Sequence, residues 1–426
     1  MSYLLNLVYL IVLVVASPWF VYNAIRKGKY RQGWGEKFFG RVPRRSREQP
    51  GIWLHAVSVG EVNLLQPLLA AIENKHPDWE CVISTTTRTG YELARQKYAP
   101  RSVFYCPLDF SWAVRAALRR IHPQLLVLVE LELWPNLIHS ANRLGVPVAV
   151  INGRLSASSA RGYARIPFLM RRLLRATDLL AVQNEEYAER FRQLGANPDQ
   201  LHVTGSLKFD GIDLDRNNPA TRKLATLARL TDQNVVFLAG STQHPEEQLA
   251  LSVYQELVSS YPQLRLILVP RHPERFPEVA TMLDQQQENW QRRSELNLSS
   301  TEPPPPVLLV DVMGELAAWW GTAQIAFVGG SLGKRGGQNM IEPSGYGAAV
   351  CFGPHTHNFR DIVDMLLQQE AAVVIRDKKE LKDFVQQCLD DPESAQQLGQ
   401  RAQQFVAIQN GATERTLLLL ESLCRS

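Results

Sequence analysis

The stretch QIAFVGGSLGKRGGQNMIEP, residues 324–343, opens with an apolar run and passes at once into bare backbone. Residues 324–328 have the composition and length of a strand. Two glycine pairs then bracket Lys334 and Arg335, and Glu342 falls about one helical turn into the next element. A strand that ends in glycines and hands over to a helix is the βα turn of an open α/β sheet, where ligands bind at the carboxyl ends of strands. Missing Cβ atoms let a phosphate approach backbone N–H groups, and a helix N-terminus favours anions. Gly329, Gly330, Ser331 and Gly337 are candidate phosphate contacts, and Glu342 a candidate acceptor for ribose hydroxyls. A glycine-rich surface loop with a solvated basic pair is the alternative reading of this segment.

Working outward, similar apolar runs recur on both sides. IWLHAV (52–57), CVIST (81–85), LLVLVE (125–130), VAVIN (148–152) and LLAVQ (179–183) form one series. VVFLAG (235–240), LRLILVP (264–270), VLLVD (307–311), QIAFVGG (324–330) and AAVCFG (348–353) form a second. The runs are continuously apolar, as parallel strands buried on both faces require. Helical periodicity fills the intervals. Two βαβα series predict an α/β protein of two Rossmann-like domains, 29–210 and 211–426, divided at the polar, turn-rich segment 210–223. SSTEPPPP (299–306) reads as a polyproline-like connector. The helical C-terminus, about 395–422, either closes the second domain or crosses back to the first. Two facing domains of this kind serve GT-B glycosyltransferases and some nucleotide-sugar epimerases, and the fold alone does not choose between them.

The chain has 426 residues, 45% hydrophobic and 21% charged, with a net charge of +4. That mild basic excess suits anionic ligands or an anionic membrane surface but lacks the concentrated basic face of a nucleic-acid binder. Five scattered cysteines without CxxC spacing indicate neither a disulfide framework nor a zinc site. The first 25 residues carry no charged side chain, and Arg26, Lys27, Lys29 and Arg31 come next. Residues 1–28 therefore predict a membrane anchor helix with the remainder on the cytoplasmic side. Asn6 and Pro18 also permit a kinked or partly embedded helix.

Polar groups gather at strand ends. GWGEKFFGRVP (33–43) sets Glu36 among glycines and aromatics, where partial burial would make a general base; a solvated surface glutamate is the alternative. HAVSVGE (55–61) offers Ser58, Gly60 and Glu61 as a polar-group site or as a helix cap. TTTRTG (85–90) contributes Arg88, VELELWPN (129–136) Glu130 and Glu132, and NGRLS (152–156) Arg154; capping and local ion pairing explain any one of them singly. In the second half, AGSTQHPEE (239–247) supplies Gly240 and Ser241, VPRHPERF (269–276) Arg271, His272 and Arg275, and VMGEL (312–316) Gly314. Four consecutive loops thus offer anion- or ribose-binding groups. There is no GxxxxGK[ST] loop, which argues against a P-loop ATPase.

Taken in order, WGEKFFGRVP, HAVSVGE, ELELWPN, NGRLSASS, QNEE, TGSLKFD, VPRHPERF, MGEL and GGSLGKRGGQNMIEP resemble the Kdo transferases, over about residues 30–360. The resemblance implies an inverting GT-B glycosyltransferase on the cytoplasmic face of the inner membrane. It would move 3-deoxy-D-manno-octulosonic acid (Kdo) from CMP-Kdo to a lipid A precursor, with no metal or other cofactor. It implies Glu36 as the catalytic base, Arg271 and the amides near Gly240 and Ser241 as stabilisers of the leaving phosphate, and Asn339 and Glu342 as ribose contacts. One departure is Gln338, where many relatives carry His; Gln positions a ligand without titrating, and Lys334 is a variable site in the same loop. Competing expectations are a UDP-sugar-dependent lipid-A disaccharide synthase, a nucleotide-sugar epimerase and a membrane-tethered nucleotide sensor.

Overall fold

The computed structural model describes residues 2–27, 32–297 and 305–424. Lys29, Arg31 and most of the proline-rich connector, 299–304, lie outside the described residues. Seven strands form a first sheet: β1 (Gly51–His55), β2 (Glu80–Thr85), β3 (Val103–Tyr105), β4 (Leu125–Val129), β5 (Val148–Gly153), β6 (Leu179–Val182) and β7 (Leu201–Val203). Seven more form a second: β8 (Val235–Thr242), β9 (Leu264–Pro270), β10 (Trp290–Arg292), β11 (Val307–Leu309), β12 (Ile325–Val328), β13 (Ala349–Phe352) and β14 (Val373–Val374). The orders are β3-β2-β1-β4-β5-β6-β7 and β10-β11-β9-β8-β12-β13-β14, with parallel pairing at each step. Both are doubly wound sheets. The winding reverses between β1 and β4 in the first, and between β8 and β12 in the second, and a reversal of strand order opens a crevice for ligands.

Each apolar run divides its side chains between two helical layers. In β1, Trp53 packs with Leu126, Leu128 and Val150 on one face, while Ile52 and Leu54 pack with Val127, Val129 and Ile151 on the other. That double burial is why the strands read as continuous rather than alternating. Each such fully buried Leu, Ile or Val side chain contributes about 1.5–3 kcal/mol relative to exposure. In the second sheet Phe237, Leu266, Leu268 and Phe327 build the equivalent layer.

The chain resolves into two compact units. One runs to Asp210 and takes back the chain from Asn410 on; the other is Gly211–Gln409. The expected second domain, 211–426, is therefore too long at its C-terminal end. Helix Ala412–Cys424 crosses back because Leu417 and Leu420 bury against the core of the first sheet, and the Asp210 carboxylate accepts from the N–H groups of Gly411, Ala412 and Thr413. A carboxylate on the free N–H groups of a helix start is a strong cap.

The N-terminal segment is one helix, Ser2–Lys27, with Pro18 inside. Among the described residues no helix is long and apolar enough to cross a membrane, which corrects the expected spanning anchor. The helix also carries polar groups. Asn6 is buried, donates to Ser111 Oγ at 2.8 Å and accepts from Ser111 N at 3.0 Å. Tyr9 donates to Asp109 Oδ2 at 3.0 Å and meets Phe110 edge to face. The helix docks on the first unit through these groups and leaves Leu4, Leu7, Val8, Ile11, Val12 and Val15 exposed.

Candidate active site

In the first unit, Glu36 sits on the short helix Trp34–Phe39, between Gly33 and Gly40, both in the left-handed region. Glu36 Oε2 accepts a 2.7 Å hydrogen bond from the backbone N–H of Tyr105, the last residue of β3. The glutamate is thus fastened to the carboxyl edge of the sheet. A Cβ on Gly33 would lie 2.3 Å from the Tyr105 ring, and one on Gly40 2.0 Å from Ala113 O, so both turns need glycine. Half-burial raises the proton affinity of Glu36, against smaller opposing effects of the Tyr105 N–H and the Lys37 charge. Lys37 Nζ stands 4.0 Å over the Tyr105 ring, and burial lowers its pKa. Trp34 and Phe38, on the same short helix as Glu36, stack at 5.0 Å, with Trp34 largely exposed.

Ser58, Glu61, Glu130 and Glu132 gather at the reversal between β1 and β4. Ser58 caps helix Val59–Lys75, and Glu61 closes a capping box, accepting from Val57 N at 2.7 Å and Ser58 Oγ at 2.9 Å. Gly60 is in the first turn of that helix. Glu130 follows β4 with φ 59, a left-handed backbone that costs on the order of 1 kcal/mol outside glycine. Glu132, two residues on, is pushed up to about 7 by burial and by repulsion from Glu61 and Glu130, although Trp134 Nε1 donates to it at 2.8 Å. The three carboxylates therefore share one electrostatic neighbourhood. Arg88, at the start of helix Arg88–Tyr98, pairs with Glu92 at 2.7 Å on the surface. Arg154 follows β5, away from this reversal by one strand.

In the second unit a cavity of about 390 Å³ opens at the carboxyl edge of the sheet. Ser241 at the end of β8, Arg271 after β9, Gly314 after β11, and Asn339 and Glu342 after β12 line it together with Gln338, Met313, Phe276 and Trp320. Asn339 Nδ2 donates to Glu342 Oε1 at 3.0 Å, and Asn339 Oδ1 accepts from Ile341 N at 3.0 Å. Burial raises the proton affinity of Glu342, opposed by that hydrogen bond and by the Arg271 charge. Ser241 holds φ 54, a second strained strand end at a sheet reversal. His272 is exposed outside the cavity lining, and Arg275 is committed to Glu247 at 3.0 Å and to Glu278.

The glycines of the opening motif serve a different purpose from the expected one. A Cβ on Gly329 would lie 2.6 Å from Thr242 Cα, and one on Gly240 would strike the Trp320 ring at 2.4 Å. The N–H groups of Gly330 and Ser331 donate to the carboxylate of Glu246 at 2.7 and 3.0 Å. The bare backbone read as an approach route for phosphate is filled by the protein's own chain. Gly337, with φ 78, donates to Gly330 O at 2.8 Å and ties the two glycine pairs together. Sequence reasoning missed Glu246, Tyr105 and Trp320. For Glu246 the available signal was an acidic residue opening a helix just after a small-residue turn; nothing in the sequence marked the backbone of Tyr105.

Comparison with known proteins decides the family. The pattern of 3-deoxy-D-manno-octulosonic-acid transferase (kdotransferase) matches residues 32–211. A 3-deoxy-D-manno-octulosonic acid transferase of Haemophilus influenzae is 35% identical, aligned over 93% of each chain. The chain belongs to the Kdo transferase family. A Bordetella pertussis transferase of the same description is 34% identical over 95% of both chains. Among solved structures, the UDP-GlcNAc 2-epimerase of Neisseria meningitidis covers 87% of this chain with a TM-score of 0.56 at 13% identity, a likeness of fold. As a Kdo transferase family member the protein is a glycosyltransferase with two parallel-sheet α/β units, and the motifs that suggested the family sit at the carboxyl edges of both sheets.

Proposed function

We propose that this glycosyltransferase moves Kdo from its CMP ester to a hydroxyl of a lipid A precursor in lipopolysaccharide core biosynthesis, with inversion at the anomeric carbon. The observation that carries the reading is the seat of Glu36, half-buried, raised in proton affinity and held by Tyr105 N. Such a carboxylate is a suitable general base near neutral pH. The acceptor hydroxyl gives its proton to Glu36 as its oxygen bonds to the anomeric carbon. The bond from that carbon to the phosphate oxygen breaks, and CMP leaves with the electron pair. Arg271 at the mouth of the second unit's cavity suits the departing phosphate, and the Asn339–Glu342 pair suits ribose hydroxyls.

A lipid acceptor calls for a seat at the inner membrane. The exposed apolar side chains of helix Ser2–Lys27, with Arg26 beyond them, support a helix lying in the bilayer interface on the cytoplasmic side. The test is incubation with CMP-Kdo and a tetra-acylated lipid A precursor, followed by mass spectrometry of the lipid. Wild type is expected to add Kdo, and Glu36→Gln to add none while still binding CMP. Transfer from a UDP-sugar instead would point to a disaccharide synthase, and near-normal turnover by Glu36→Gln would remove Glu36 from its role.

A further inference from the structure

Glu246 opens helix Glu246–Val258 directly after the β8 loop, and it is 1% exposed. Its carboxylate accepts four backbone N–H groups. Oε2 takes Gln243 N at 2.9 Å and Gly330 N at 2.7 Å; Oε1 takes Ser331 N and Leu332 N, each at 3.0 Å. Three consecutive N–H groups converging on one anion make a nest of the kind that elsewhere cradles phosphate. Here the anion is internal. Four N–H donors point at the two oxygens, the arrangement a carboxylate accepts, while burial on balance raises its proton affinity against the smaller effect of those donors.

The clamp reaches the donor cavity through short links. Gly330 O accepts from Gly337 N at 2.8 Å, and a Cβ on Gly330 would press on the Gln338 side chain at 3.2 Å. Gln338 lines the cavity next to Asn339 and Glu342. On the other side Ser331 Oγ donates to Val328 O at 2.6 Å and accepts from Gly353 N at 2.8 Å. Glu246 stands where β8 and β12 part, the reversal at which the sheet opens.

We propose that Glu246 is the positioning residue of the donor site: it occupies the Gly330–Leu332 amides itself, fixes Gln338–Glu342 against the cavity, and leaves the donor's anionic groups to side chains rather than to that nest. The inference rests on the cavity of the second unit being the nucleotide site, as proposed above.

The neighbouring Glu247 supplies the control. It is equally buried, but its carboxylate pairs with Arg275, which does not itself line the cavity, and accepts from none of the Gly330–Leu332 amides. Hydrogen exchange on wild type without ligand is expected to show the Gly330–Leu332 amides protected as strongly as those of β12, with no further protection when CMP is added. Rapid exchange that slows only with CMP would overturn the proposal, since those amides would then serve the ligand. Glu246→Gln presents an NH2 group where two N–H donors now point. It is expected to raise the donor KM about tenfold or more, for two lost charge-assisted bonds, with kcat at saturating donor within about twofold. Glu247→Gln is expected to lower the melting temperature without moving KM. Equal rises in KM for both variants, or a KM unmoved in Glu246→Gln, would reduce Glu246 to a structural acid. If wild type binds UMP and not CMP, the donor reading fails, and UMP takes its place as the probe of the same amides.

Discussion

The backbone N–H of Tyr105 holds the carboxylate of Glu36 at 2.7 Å, so a residue of a short helix is registered against the end of a sheet strand. Rotation of the helix is blocked on both sides, because Gly33 lies against the Tyr105 ring and Gly40 against the Ala113 carbonyl. Glu36 is placed by close backbone approach, and Trp34 and Phe38 stack on the same short helix.

That placement makes Gly33 a test of geometry without altering the base. Gly33→Ala introduces a Cβ 2.3 Å from Tyr105 Cδ2 at a φ of 74, and the ring or the helix must shift. A misplacement of about 1 Å lowers rate on the order of 100-fold. The expected outcome is a large loss in kcat with CMP affinity in the second unit unchanged, read by single-turnover transfer and nucleotide titration. Unaltered kcat in a folded Gly33→Ala protein would mean that Glu36 needs no such fastening.

The pH dependence carries a sign. As the proposed base Glu36 must be ionised, and burial places its titration above the ordinary carboxylate range, so the acid limb of the rate profile is expected above about 4.5. Lys37 pulls that titration down. Replacing it by Met removes the pull, and the acid limb is expected to move to higher pH. A limb displaced to lower pH in Lys37→Met would contradict the assignment of that limb to Glu36.

Which strands the sequence revealed is explained by burial. All ten apolar runs are strands, and each is covered on both faces. The four unread strands, β3, β7, β10 and β14, are the four sheet edges, two or three residues long. Edge strands pair on one side only, so no long apolar run is demanded of them. Of the expected residues, Ser241, Arg271, Gly314, Asn339 and Glu342 do line one cavity, because strand ends leading into small or basic residues recur four times. The roles within that set were not legible. Bare glycine backbone looks the same whether a phosphate or the protein's own Glu246 fills it, and only the three-dimensional neighbour decides. Likewise Ser58 and Glu61 read equally as ligand groups and as a cap, and the structure shows the capping box.

Glu132 predicts a change in stability. Its folded pKa of about 7 exceeds the unfolded value of 4.5, so the folded state binds the proton more tightly. The stabilisation from this proton is complete below about 4.5 and is lost as pH rises through about 7. Glu132→Gln keeps the neutral shape at all pH values. Because the side chain is only partly buried, solvent screening reduces the gain, and about 1–2 kcal/mol at pH 8 is expected, with little change at pH 4.5. Urea unfolding at the two pH values measures the difference; an equal gain at both would show that charge is not the cause.

Asp109 joins the N-terminal helix to the body of the first unit. It is buried, and its carboxylate accepts from Asn136 N at 2.9 Å, Leu137 N at 2.8 Å and Tyr9 Oη at 3.0 Å. Two of these donors are at the start of helix Pro135–Arg143, which has no side-chain cap of its own at Trp134. Burial pushes Asp109 up to about 6, yet three donors favour the ionised form that the fold uses. Asp109→Ala strands all three, at about 1–3 kcal/mol for each donor left buried and unpaired, reduced where water enters. A total loss of about 2–4 kcal/mol is expected, with release of helix Ser2–Lys27 to proteolysis. Tyr9→Phe removes one bond and leaves the other two, so about 1 kcal/mol is expected with the same change in cleavage but weaker. Were Asp109→Ala to lose stability while the N-terminal helix stayed as resistant as in wild type, the carboxylate would be serving helix Pro135–Arg143 alone, and the docking of the first helix would rest on Asn6 and its partners Ser111 and Asn136.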